Sequence, residues 1–274
     1  MKSNRHPERL SLVTALVMCI TMTCLAQPAA ADESEELAKK LANPIASLIS
    51  VPFEYDYDSD IGPSDSGSRW TVTTKPVIPF SLNEDWNLIT RTIFAYVNQE
   101  DLVPGLGKQD GLSDTQFSMF FSPKEPVNGF TLGAGPVLVF PTASDDLLGT
   151  EKWSAGPTGV ALKQQGPWTY GTLAQHTWSY AGDDDRDYVS STFLQPFLSF
   201  NTKTATTFTL QTESTYNWNS EKWTVPINAI VSQVLKLGDQ LIQLKLGARY
   251  WADAPDSGPE GWGMKAGIVF LFPK

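Results

Sequence analysis

The stretch LIQLKLGARY, residues 241–250, alternates between apolar and polar side chains with a period of two. Its apolar positions are Ile242, Leu244, Leu246, Ala248 and Tyr250. The polar positions between them include Gln243, Lys245 and Arg249. Because successive side chains of a β-strand point to opposite faces, the pattern predicts a strand with one apolar and one polar face.

The same alternation recurs along most of the chain. A strand needs about 9–11 residues to cross a bilayer at a tilt, and most of the alternating segments are close to that length. There are twelve such segments, and this even number predicts an all-β fold: a twelve-stranded antiparallel transmembrane β-barrel. The predicted strands are 48–58, 69–80, 86–97, 111–122, 130–140, 153–163, 168–180, 188–200, 205–218, 221–235, 240–251 and 262–272.

The connections between these segments alternate in length. Five short ones are 81–85, 123–129, 164–167, 201–204 and 236–239. The longer, mostly acidic ones are 59–68, 98–110, 141–152, 181–187 and 252–261. Short turns on one side and long loops on the other are typical of bacterial outer-membrane barrels, with both termini on the periplasmic side. The ninth connection departs from this rule, because it is short where a long loop is expected.

Aromatic residues support a membrane location over a soluble alternative. Trp168 and Tyr170 begin one predicted strand, and Trp178 and Tyr180 end it on the same face, as two interfacial girdles require. A secreted β-sandwich or soluble barrel would instead need a uniformly polar outer face and loops of similar length. Four prolines inside predicted strands conflict with regular pairing and predict bulges or shorter strands: Pro136, Pro157, Pro196 and Pro226.

The N-terminal residues predict export. A basic start, an apolar run from Leu10 to Ala26 and the sequence Ala29-Ala30-Ala31 are typical of a signal peptide over residues 1–31. Its removal would take away both cysteines of the chain, Cys19 and Cys24, so we expect no disulfide, no thiolate metal site and no cofactor. A formal net charge of −10 argues against binding to nucleic acid.

A short helix is predicted next, over residues 32–43, within a periplasmic segment 32–47 that precedes the barrel at 48–274. Glu35 and Glu36 each precede a lysine by four residues, and Pro44 ends the run. The hypothesis that this helix closes the periplasmic mouth of the barrel follows from its position.

Several stretches are similar to one family. They include PVIPFSLNEDWNLITRTI (76–93), LGAGPVLVFPTAS (132–144) and GARYWADAPDSGPEGWGMKAGIVFLFPK (247–274). In these the chain resembles a bacterial outer-membrane β-barrel family of transporters related to the phenol-degradation (MetA-pathway) protein, whose members are sometimes mislabelled neuromedin U. The resemblance implies a bacterial outer-membrane location and transport of small solutes, including aromatic or hydrophobic compounds. It supplies no catalytic residues.

The polar face of the strands is where a transport function is expected. Twelve strands enclose more space than eight and less than sixteen, so a narrow or gated passage follows. Its charges could select a solute or could fill the lumen as salt bridges. The pore-lining candidates are Arg91, Glu213, Lys245, Arg249 and Lys265.

Two other functions stay open. A lipid-acting enzyme of the outer membrane would use His176, although Ser179 falls on the opposite face, so the partner would come from a neighbouring strand, such as Ser190. A structural barrel would use its acidic loops, in which divalent cations bridge carboxylates to lipopolysaccharide. The metal candidates are Asp183, Asp185 and Asp187, and a second acidic run is Asp56, Asp58 and Asp60. The expected partners are outer-membrane lipid, lipopolysaccharide and a small-molecule solute, and the expected state is a monomer.

Overall fold

A computed structural model describes residues 31–102 and 107–273. The predicted signal peptide therefore lies outside the described residues, apart from residue 31. One helix, α1 (Ala31–Leu41), precedes the strands. The strands are β1 (Ile49–Ile61), β2 (Gly67–Thr74), β3 (Val77–Ser81), β4 (Trp86–Glu100), β5 (Lys108–Leu112), β6 (Thr115–Pro123), β7 (Thr131–Phe140), β8 (Lys152–Gln165), β9 (Trp168–Gly182), β10 (Ser190–Asn201), β11 (Thr206–Thr212), β12 (Ser214–Asn217), β13 (Lys222–Leu237), β14 (Gln240–Asp253) and β15 (Gly261–Phe272).

These strands form one closed antiparallel barrel, which confirms the predicted fold. Three pairs of strands, β2 with β3, β5 with β6 and β11 with β12, are single barrel strands interrupted once, so the barrel has twelve staves. It closes because β1 pairs with β15, from Ile49 opposite Phe272 to Asp58 opposite Gly263.

Interrupted pairing accommodates all four strand prolines. Pro136 and Pro157 lie opposite each other in β7 and β8, and pairing with the strand on the far side lapses beside each of them. Pro226 lies where the register of β13 against β14 shifts. Pro196 pairs in regular register with Thr172 of β9, but its pairing on the other side lapses between Leu194 and Phe197, at the break between β11 and β12.

The outer face of the barrel is apolar. Trp168, Trp178 and Tyr180 are exposed, as are apolar side chains along the intervening staves, and an exposed belt of this kind suits contact with lipid. None of the helices among the described residues is long and apolar enough to span a membrane.

Helix α1 and the segment after it lie in the lumen, at the end with the short turns. Leu37, Ala38 and Leu48 pack in one buried cluster against Val234 and Leu271 of the barrel wall. The Glu35–Lys39 and Glu36–Lys40 ion pairs, both 2.8 Å, support the helix. Residues 31–48 therefore form a plug in one mouth of the barrel.

Ile45 is the residue of the plug that packs in a second buried cluster. That cluster is otherwise built from wall residues, among them Ile89, Phe120 and Leu173. One polar contact joins helix and wall, since the side-chain amide of Gln164 donates to the carbonyl of Lys39 at 2.7 Å. Apolar packing thus holds the plug, and few polar bonds need to break for it to move.

Candidate functional site

Charged side chains meet inside the barrel above the plug. Alternation along β1 points Glu54, Asp56 and Asp58 inward, one above the next, while their aromatic neighbours point to the lipid face. Cations from β14 and β15 and from the break between β2 and β3 reach these carboxylates. We call this set the lumen network: Glu54, Asp56, Asp58, Lys75, Glu213, Lys245, Arg249 and Lys265.

Arg249 is the hub of the upper half of the network. Its guanidinium group lies 3.1 Å from Asp58 and 3.1 Å from Asp56, and its Nε donates to Asn228 at 3.0 Å. Trp251 packs against it, with 5.2 Å between the guanidinium carbon and the ring centroid, and donates its indole N–H to Asp58 at 2.9 Å. Arg249 and Asp58 are only 7% and 3% exposed.

Glu213 connects the upper and lower halves. Lys265 lies 2.6 Å from Asp56 and 3.5 Å from Glu213, while Lys75 lies 3.6 Å from Glu213. Lys75 also approaches Glu54 to 2.8 Å, and Lys245 reaches the same carboxylate at 3.1 Å. Each acid therefore has at least one close cation, as buried charges require.

Four of the five predicted pore-lining residues meet in this network: Glu213, Lys245, Arg249 and Lys265. The fifth, Arg91, lines a cavity beside the network but makes no ion pair or hydrogen bond with the described residues.

Sequence reasoning missed three members of this network. Asp56 and Asp58 belong to the second acidic run of the sequence, but they lie in β1 and bind Arg249 instead of a metal ion. They alternate with Glu54 along one strand, and this period of two was the signal that could have placed their side chains in the lumen. Lys75 was missed because it lies in the interruption between β2 and β3, beside Pro76, where no period applies.

Two cavities flank the network. The inner cavity, of about 180 Å³, lies between the network and the plug, and its walls include Arg91, Gln195, Gln211, Val77 and Phe197. The outer cavity, of about 240 Å³, opens on the side of the long loops. It is lined by Asp56, Asp58, Arg69, Thr71, Val97, Gln99, Leu147, Leu148 and Arg249.

The acidic loops lie outside this lumen. Asp183 accepts a hydrogen bond from the backbone N–H of Asp185 at 2.8 Å, and Lys152 donates to the carbonyl oxygen of Asp183. Among residues 31–102 and 107–273, no group of three or more His, Cys, Asp or Glu side chains is arranged to hold a metal ion. Cation binding by Asp183, Asp185 and Asp187 stays a prediction.

Arg186 ties two of these loops together. It donates to the carbonyl oxygens of Asp146 and Gly149 at 2.8 and 2.7 Å, and its Nε lies 3.5 Å from Glu151. A hydrogen bond with the Asp146 carboxylate raises the pKa of Glu151 above its ordinary value.

His176 lies on the lipid-facing side of β9, without a serine partner. Its Nδ1 is 2.7 Å from the hydroxyl oxygen of Thr192, which also accepts a hydrogen bond from the indole of Trp218 at 2.8 Å. Ser190 pairs in register with Trp178 instead, and the Ser179 hydroxyl accepts a hydrogen bond from the Val189 backbone. The Ser–His arrangement of the enzyme hypothesis is not formed.

Comparison with known proteins places the fold. No protein-family model and no curated protein matches the chain. Among solved structures, it is similar to an outer-membrane channel from Pseudomonas putida F1, with a TM-score of 0.66 and 14% identity over 84% of this chain and 97% of that one. It is also similar to outer membrane phospholipase A from Escherichia coli, with a TM-score of 0.50 and 11% identity over 87% and 98% of the two chains.

These similarities agree with the closed barrel and its apolar outer belt. The predicted outer-membrane location is confirmed, since the chain is a bacterial outer-membrane β-barrel.

Proposed function

We propose that the barrel is a channel for small solutes, gated by the plug, and that it belongs to the transporter family that its sequence resembles. The observation that carries the proposal is the lumen itself, where two cavities lie on either side of a charged network. A barrel with a purely structural role would gain more from an apolar filling, since buried ion pairs seldom stabilise a protein better than well-packed apolar residues do.

The network has the chemistry of a selectivity constriction. Rings of charged side chains in a channel admit or reject solutes through their fixed charge. Here Arg249 and Lys265 lie beside Asp56 and Asp58 on neighbouring staves and also approach Glu213, so a passing solute meets both signs of charge within one narrow zone.

The plug is suited to open and close the inner mouth. Helix α1 has 11 residues, and isolated helices shorter than about 12 residues are marginal in water, so packing against the wall keeps it folded and in place. Leu37, 5% exposed, is a central contact of that packing. Displacing the plug would connect the inner cavity to the periplasm.

The test compares single-channel currents of the full chain in planar bilayers with those of a plug variant. Leu37→Asp places a carboxylate in the apolar cluster, and we expect it to raise the open probability several-fold without lowering the heat-modifiable, folded fraction on gels. The matched control is Glu36→Gln on the same helix, whose side chain is 69% exposed. Equal, low open probability in the two variants would refute gating by the plug, and no currents from any of them would refute the channel.

A further inference from the structure

The cations in the lumen outnumber the anions. The barrel wall around the network and its two cavities contributes six cations and four anions, the anions being Glu54, Asp56, Asp58 and Glu213. All four anions have cation partners within 4.0 Å. The two remaining cations, Arg69 and Arg91, make no ion pair or hydrogen bond with the described residues, although Arg69 lies opposite Asp58 in the pairing of β1 with β2.

The two leftover guanidinium groups lie on opposite sides of the network. Arg69 lines the outer cavity beside Thr71 and Gln99, and Arg91 lines the inner cavity beside Lys75. An anion entering from the long-loop side would meet Arg69 first, pass the fixed cations Arg249 and Lys265, and reach Arg91.

The inner cavity also has an apolar wall. Val77, Phe197 and Val269 line it together with Leu48 of the plug, and Val77 is the cross-strand neighbour of Arg91. Its volume is about 180 Å³, which limits it to a small solute. A guanidinium group binds a carboxylate through two parallel hydrogen bonds, so the remaining surface suits a small apolar body.

We propose that the lumen selects small monocarboxylates with an apolar body, with Arg91 binding the carboxylate in the inner cavity and Arg69 receiving it in the outer one. This inference rests on the proposed channel function and names its solute class. These cavities offer no equivalent binding site to a cationic solute, because every acid of the network already has a lysine or an arginine beside it.

The acidic loops do not reverse this selectivity. Their carboxylates are solvent-exposed, and salt at about 0.1 M screens exposed charges over about 10 Å, whereas charges enclosed in a lumen are screened much less. The formal charge of −10 for the whole chain therefore coexists with a positive passage.

The first test measures reversal potentials of the full chain under a KCl gradient. We expect a preference for chloride over potassium, reduced about fivefold by Arg91→Gln and by Arg69→Gln, since each removes from the path one positive charge that has no ion-pair partner among the described residues. Arg91→Lys keeps the charge and should keep the preference. Lys222→Gln removes an exposed lysine of β13 as the matched control and should change nothing.

The second test measures binding of radiolabelled benzoate by equilibrium dialysis against the purified barrel. We expect benzoate to bind, benzyl alcohol to bind at least tenfold more weakly, and Arg91→Gln to lose most of the benzoate affinity while folding normally. Phthalate, a dianion, should bind no better than benzoate, because Arg91 is the only guanidinium group among the described residues that line the inner cavity.

The outcomes separate the two proposals. Currents that prefer potassium, or benzoate binding that is indifferent to Arg91, would overturn the anion site and leave the channel standing. Benzoate binding that depends on Arg91, in a barrel that stays silent even as Leu37→Asp, would keep the site and refute the channel.

Discussion

Removing the hub of the lumen network should destabilise the barrel strongly. In Arg249→Met the apolar stem is kept, but Asp58, 3% exposed, loses its only cation within 4.0 Å among the described residues and keeps one hydrogen bond, from Trp251. Asp56 and Glu213 retain Lys265, so the cost falls mainly on Asp58. Removing one partner of a buried ion pair costs about 3–5 kcal/mol, and the remaining indole bond places the expected loss near about 3 kcal/mol.

The matched control is Lys245→Met. Lys245 is also a network cation, but its side chain is 28% exposed and its partner Glu54 keeps Lys75 at 2.8 Å. We therefore expect a loss below about 1 kcal/mol. Urea unfolding of the barrel in lipid vesicles, followed by tryptophan fluorescence, gives both free energies of unfolding.

A double variant tests the cause. Asp58→Asn removes the charge that Arg249→Met leaves unpaired, so the pair of substitutions should cost about 2 kcal/mol less than the sum of the single ones. Equal losses in Arg249→Met and Lys245→Met, or strict additivity in the double variant, would refute a network in which Arg249 compensates Asp58.

Three further predictions concern parts of the barrel outside the network. His176→Ala should leave channel currents unchanged, and vesicle assays should show no lipid hydrolysis that depends on this residue, because its hydrogen bond goes to a threonine. NMR titration should show that the pKa of Glu151 lies above that of an ordinary glutamate and that it returns toward the ordinary value in Asp146→Asn. Since the folded-state pKa is raised, the stabilisation from this loop contact is fully present below the unfolded-state pKa and is lost as pH rises through the folded-state pKa. Gly156→Ala should destabilise the folded barrel by roughly 1–3 kcal/mol, because its new Cβ would lie 1.8 Å from the backbone oxygen of His176. Gly159→Ala should be tolerated, because no atom would lie nearer than 3.6 Å to its new Cβ. Gels that resolve folded from unfolded barrel would compare the two variants.

The barrel itself was predictable from sequence because its signal is repeated twelve times. Each stave alternates for long enough to reveal its period, and errors at single ends do not change the count. The interruption at Lys75–Pro76 marks the limit, because proline removes a backbone donor and the period is lost for two residues. The helix was predicted two residues too long at its C-terminus, where Asn43 accepts a hydrogen bond from the N–H of Ile45 and turns the chain before Pro44.

Alternation also identified which residues point inward, but it could not say which of them meet. That depends on register between strands far apart in sequence, such as β1 with β15, where Asp56 lies opposite Lys265. The register also explains why Arg91 stays without an ion pair. Its cross-strand neighbours are Val77 and Ser118, so no acid faces it on the strands beside it.

Glycines record the network in the sequence, although their meaning needs the register. Lys245, Arg249 and Lys265 lie opposite Gly267, Gly263 and Gly247 across the pairing of β14 with β15. Long side chains that share one narrow lumen need room beside them, and a Cβ at Gly263 would lie 2.5 Å from a carboxylate oxygen of Asp58. At each of three successive inward positions a cation therefore lies opposite a glycine, and this arrangement leaves room for the stacked charged side chains. The inward glycines and the acids of β1 together indicate that the lumen was built around charge, which an apolar filling would not require.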